Sequence, residues 1–96
     1  MGSGSKEPRV GRLVVSKAGR DRGRYYLILE VLSDHLVRVV DGVVRRIENP
    51  KEKNVKHLHF YDTVVETVAE KLVRGERVTN AEIRGALAQI VEKSGE

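Results

Sequence analysis

The chain contains no cysteine, which excludes disulfides, thiolate metal sites and a cysteine nucleophile. It has no apolar run long enough to span a membrane. No P-loop, dinucleotide fingerprint or nucleophile motif occurs, and the carboxylates are scattered, so catalysis and a cofactor are not expected. Only two prolines are present, and Pro8 and Pro50 each mark an expected boundary. No internal repeat is visible. Residues Met1–Ser5 lack the apolar core of a signal peptide, and residues 1–8 are expected to form a flexible leader. A cytoplasmic protein with no membrane partner is the expectation.

What is present fits one domain of 96 residues, 33% charged and 40% hydrophobic, with a modest core. The net charge is +4 with a pI near 9.6, and it is unevenly spread. Residues 1–62 carry thirteen Lys and Arg against eight Asp and Glu, a net of +5. Residues 63–96 carry five against six, a net of −1. The basic character therefore belongs to the first two-thirds, where an anionic partner would bind.

That part reads as strands. Val10–Lys17 and Arg24–Leu32 flank a polar loop at 18–23, and His35–Val40 makes a third strand. In the second, Tyr25, Leu27, Leu29 and Val31 share one face, while Tyr26, Ile28 and Glu30 share the other. Asp41-Gly42 lies between two β-branched runs, which predicts a type I′ hairpin and a fourth strand at Val43–Ile47. Lys51–Asn54 reads as a polar link, followed by a fifth strand at Val55–Phe60. Five short strands joined by tight turns predict a small closed barrel.

From residue 62 the apolar period becomes helical. Val64, Val65, Val68, Ala69, Leu72 and Val73 make one stripe, with Thr63 and Glu66 as a capping box and Gly75 as the stop. Ile83, Ala86, Leu87, Ile90 and Val91 make a second stripe, opened by Thr79 and Glu82 and stapled by Val78. Each stripe must be buried on the sheet, on the other helix or on a second copy, so a homodimer through these helices is one expectation.

The candidate site residues are cations. The loop carries Lys17, Arg20, Arg22 and Arg24 with one acid, Asp21, which could neutralise a neighbour. Arginine forks suit phosphate oxygens and stack on unpaired bases. Gly19 and Gly23 would supply positive φ. A second cluster is Arg45, Arg46, Lys51, Lys53 and Lys56, with Arg45 and Arg46 on opposite faces if they lie in a strand. One of Tyr25 and Tyr26 must point into the core, leaving one at most to stack on a base. His57 and His59, with Asp62 and the distant His35, lack an established ligand spacing, so no metal is expected and His57 is kept as a phosphate contact.

At Gly19-Arg20-Asp21-Arg22-Gly23 and its flanking strands the sequence resembles a KOW motif. The likeness extends to Val10-Gly11-Arg12, to Asp34 with Val37 and Val39, and to Asn54-Val55-Lys56-His57-Leu58. Over residues 10–60 it resembles the eukaryote- and archaeal-type large-subunit ribosomal proteins of the fourteenth family, and bacterial KOW-domain RNA-binding proteins similar to them. That resemblance implies a five-stranded SH3-like barrel at 9–61, with Gly23 as the motif glycine in a loop that contacts ribosomal or other structured RNA. The helical hairpin at 62–94 lies outside it. The expected architecture is thus mainly β with C-terminal α. The expected function is non-catalytic binding of structured RNA, with ribosomal proteins as further neighbours. A protein-interaction module using barrel and hairpin is the alternative.

Overall fold

The computed structural model describes residues 9–94, with side chains described as far as residue 91. The leader expected at 1–8 lies outside the described residues. Five strands come first: β1 (Arg12–Ser16), β2 (Tyr25–Ser33), β3 (Leu36–Val40), β4 (Lys51–Asn54) and β5 (Leu58–Val64). A single 3-10 turn, Val55–His57, joins β4 to β5, and helices α1 (Glu66–Arg74) and α2 (Asn80–Ser94) follow. The strands form one antiparallel sheet in the order β4-β3-β2-β1-β5. The fold is therefore mainly β with C-terminal α, as the periodicities predict.

The ladder does not close between β4 and β5. The 3-10 turn bridges those edges instead. Val55 N–H donates to His35 O at 3.0 Å beside the β2–β3 turn, and Lys17 N–H donates to His57 O at 2.9 Å at the end of β1. The sheet is thereby curled, and its two faces bury different clusters. Val14, Tyr26, Ile28, Val37, Val39 and Leu58 pack together on the inner face. Leu13, Leu27 and Val40 on the other face meet Val68, Val78, Ile83 and Leu87 from the helical region. The alternation read in β2 places Tyr26 and Ile28 in one cluster and Leu27 in the other, with Tyr25 and Leu29 packed beside it. Most of both helical stripes thus packs into the core of the same chain, whereas Val73 and Val91 remain exposed.

Two strand boundaries differ from the sequence reading. Val43–Ile47 is a loop, because Asp41 Oδ1 accepts from the amides of Val43, Val44 and Arg45 at 2.8–3.0 Å. Those donors are turned toward one side-chain oxygen, so they cannot enter a ladder. A type I′ turn needs positive φ at both central residues. Here Gly42 alone of the pair has it, at 80°. The place of the fourth strand is taken by Lys51–Asn54, which pairs with β3 from Leu36↔Asn54 to Val39↔Lys51. Its inward residue is Lys53, 8% exposed, so no apolar alternation advertises it. The fifth strand likewise begins at Leu58 rather than Val55, after the 3-10 turn.

The helix signals divide in the same way. Thr79 and Glu82 form the capping box reciprocally: Thr79 N–H donates to Glu82 Oε1 at 2.9 Å, and Glu82 N–H donates to Thr79 Oγ1 at 3.1 Å. Lys71 of α1 bonds the same Glu82 carboxylate, tying the helices together. Gly75 ends α1 in the left-handed conformation. The box expected at Thr63 and Glu66 does not form. Thr63 is held in β5, which stays paired as far as Arg12↔Val64, and the N-cap of α1 is Val65 without a side-chain bond.

The 41–48 loop is strapped to the start of α2. Asn80 Oδ1 accepts from Ile47 N–H at 2.8 Å, and its Nδ2 donates to Glu48 Oε1 at 2.8 Å. Gly42 makes this contact possible, since a Cβ there would lie 2.5 Å from Asn80 O. Gly23 has φ of 88° but open space around its Cα. Gly42→Ala is therefore expected to lower stability by about 2–3 kcal/mol, through strain and a lost contact. Gly23→Ala should lose only about 1 kcal/mol, from strain alone. Urea midpoints of the two variants check the difference; equal losses would mean that the Gly42–Asn80 approach is not a constraint.

Candidate nucleic-acid interface

The β1–β2 loop is built on a buried carboxylate. Asp21 turns inward, where its Oδ2 accepts from the Tyr26 hydroxyl at 2.7 Å. Its Oδ1 accepts from Ser16 Oγ at 2.8 Å and from Lys53 Nζ at 3.0 Å. Lys53 Nζ also donates to Ser16 Oγ at 3.1 Å and to Ala18 O at 3.3 Å, so all three of its protons have acceptors. Burial disfavours the Asp21 charge, but bonds from Tyr26, Ser16 and Lys53, together with the Lys53 charge, outweigh it and hold the carboxyl far below its ordinary range. Burial and the Asp21 hydrogen bond push the Tyr26 hydroxyl far up.

Main-chain bonds complete the loop. Gly23 N–H donates to Ser16 O at 2.7 Å, and Arg24 N–H donates to Asp21 O at 2.9 Å. With the single acid of the loop consumed inside, its basic side chains face water. Lys17, Arg20 and Arg22 are exposed and have no ion-pair partner among the described residues. Arg20, Asp21, Arg22, Gly23 and Arg24 line a shallow cleft, in which the Asp21 carboxylate is nearly buried. Gly19 is exposed beside them.

The structure brings part of the second cluster to this loop and keeps part of it away. Lys56 and His57 are exposed on the 3-10 turn, riveted to Lys17 by its bond to His57 O. Lys51 is half-buried, its Nζ 3.9 Å from Asp21 Oδ2. Lys53 is a framework residue, its ammonium fully engaged below the loop. Arg24 reaches across to Asp41 at 3.6 Å, which sets the 41–45 loop on its other flank. There Arg45 is half-buried and its carbonyl accepts from Asp41 and Gly42 N–H. Arg46 is exposed, 3.9 Å from Glu48. Of the tyrosines, Tyr26 is the inward one, and Tyr25 packs against Tyr61 at 6.1 Å between ring centroids.

Sequence reading missed Ser16, Tyr26 and Lys53 as the frame of the loop. Lys53 lies 32 residues from Asp21, and a Lys-Glu-Lys-Asn tract gives no sign that one lysine is buried. The frame makes stability depend on pH. In the unfolded chain an aspartate titrates near 4, whereas folded Asp21 stays ionised well below that. The unfolded state therefore takes up the proton first, and stability present above pH ~4 is lost as pH falls below it. Tyr26 acts at the other end: stability present below pH ~10 is lost as pH rises through the region where the unfolded phenol ionises. Asp21→Asn is expected to cost roughly 2–3 kcal/mol by leaving Lys53 without its counter-charge and to flatten the acid limb. Urea unfolding between pH 2.5 and 7 tests both; an unchanged acid limb in the variant would remove Asp21 as its source.

No family model matches the chain. It is 31% identical over 71 residues to a Bacillus subtilis (strain 168) protein named "Putative ribosome-binding protein YbzG". The match covers 74% of this chain and 96% of that relative, so the shared region is nearly the whole of the smaller protein. By that identity and coverage, the chain belongs to the same family as YbzG.

Proposed function

We propose that this protein is a non-catalytic, cytoplasmic RNA-binding protein that docks on the ribosome through ribosomal RNA. The contact is made by the 17–24 loop, flanked by Lys56 and His57 on one side and Arg45 and Arg46 on the other. The observation that carries the reading is the inward turn of Asp21, which leaves Arg20 and Arg22 exposed with no acid to oppose them. A loop of fixed shape bearing unneutralised guanidinium groups suits phosphate oxygens, and little order must be gained on binding. Gly23, without a Cβ and with open space around it, lets a phosphate approach the main chain.

Three further features support this reading. The relative bears a ribosome-binding name. The likeness of residues 10–60 to KOW proteins and to the fourteenth family of large-subunit ribosomal proteins points to the same loop. The strand order, with edge strands joined by a 3-10 turn, is compatible with an SH3-like unit.

The double variant Arg20→Glu, Arg22→Glu is expected to weaken co-sedimentation with ribosomal large subunits by at least tenfold. The slope of log affinity against log salt should fall by about 1.4–1.8, since each of the two phosphate contacts contributes roughly 0.7–0.9. Both side chains are exposed, so the urea midpoint should stay within about 0.5 kcal/mol of the parent. Unchanged sedimentation and salt slope would overturn the proposal.

A further inference from the structure

Beside the loop lies an open groove of about 380 Å³, lined by Lys17, Val55, Lys56, Leu58, His59 and Phe60. We propose that this groove is a pocket for one unpaired ribonucleotide of the bound RNA, its base against the apolar floor and its phosphate between Lys17 and Lys56. The inference rests on the RNA-binding reading above and specifies what part of the RNA is read.

The floor and the rim differ in chemistry. Val55, Leu58 and Phe60 belong to the inner hydrophobic cluster, which surfaces where the 3-10 turn meets β5. Lys17 and Lys56 are exposed and have no side-chain partner among the described residues. No acidic residue lines the groove. An occupant must therefore combine a flat apolar body with negative charge. A nucleotide has both, and the volume lies in the range of roughly 300–1,000 Å³ that small ligands fill.

The groove is also held in shape. The bond from Lys17 N–H to His57 O at 2.9 Å fixes the β1 end against the turn. The guanidinium of Arg12 sits over the Phe60 ring, 5.4 Å from its centroid, and its Nε donates to Tyr61 O at 2.6 Å, which holds that ring in place. His59 also lines the groove, is exposed, and has its ring edge-on to Tyr61 with centroids 4.9 Å apart. Bases in a duplex are stacked and hide their faces, so only a bulged or looped-out base can enter. Lys17 belongs both to the cationic loop and to the groove wall, so one phosphodiester chain can engage both.

The test uses the full chain and two hairpin RNAs with 2-aminopurine at one position, bulged in one and paired in the other. The bulged hairpin is expected to bind about tenfold tighter, with 2-aminopurine fluorescence changing on binding in that hairpin alone. His59→Ala and Phe60→Leu should each reduce the preference to about twofold or less, while affinity for the paired hairpin stays unchanged. His59 is exposed and Phe60→Leu keeps an apolar side chain, so at least one variant remains folded. Equal affinity for both hairpins, with dependence on Arg20 and Arg22 intact, would overturn the pocket and leave RNA binding standing. Absence of binding to both hairpins would overturn the pocket and the RNA-binding reading together. An acidic, phenylalanine-rich peptide that displaces the bulged hairpin at lower concentration than unlabelled RNA would assign the groove to a protein partner instead.

Discussion

The buried pairing of Asp21 with Lys53 is the constraint on which the basic surface depends. A loop with several cations and one acid would ordinarily neutralise itself locally, with the carboxylate swinging between neighbouring guanidinium groups. Here the carboxylate is taken out of that competition by a lysine from β4, a serine from β1 and a tyrosine from β2. Three strands thus meet on one pair of oxygens. The result is geometric as well as electrostatic: the loop is fixed at its base, and its positive charge is left on the outside. A buried ion pair of this kind need not add much net stability, because desolvation offsets attraction. Its contribution is to specify one loop conformation.

Around this pair the molecule divides its work between two faces of the sheet. One face takes the helices, which bury most of their apolar stripes against Leu13, Leu27 and Val40. The other gathers the inner cluster that reaches the surface at Val55 and Phe60. The 3-10 turn decides how these meet. By linking the open edges of the ladder it brings Lys56 and His57 against Lys17, which lies far from them along the chain. Asp41 organises its own loop by a similar device, taking three amides on one oxygen, and Asn80 fastens that loop to α2. Side-chain carboxylates and amides thus do the work that tight hairpins would otherwise do, which leaves the loops shaped rather than merely short.

The sequence by itself determined the order of strand and helix, the alternation of β2, the stop at Gly75 and the Thr79–Glu82 cap. It also determined the segregation of positive charge onto the β portion and the prominence of the Gly19–Gly23 loop. These are local signals, carried by hydrogen bonds and periodicities that span at most a few turns, so they survive without knowledge of the fold. The tertiary structure alone decided that Lys51–Asn54 and not Val43–Ile47 would pair with β3. It decided that Lys53 would be buried while Lys56 stayed in water, and that a groove would open between Lys17 and Phe60. The last two outcomes depend on partners tens of residues apart, and the first on a contest between a ladder and a single carboxylate that periodicity does not register. A lysine is read as solvated until a carboxylate waits for it in the interior, and a Val-Val-Arg-Arg run is read as a strand until one aspartate claims its amides.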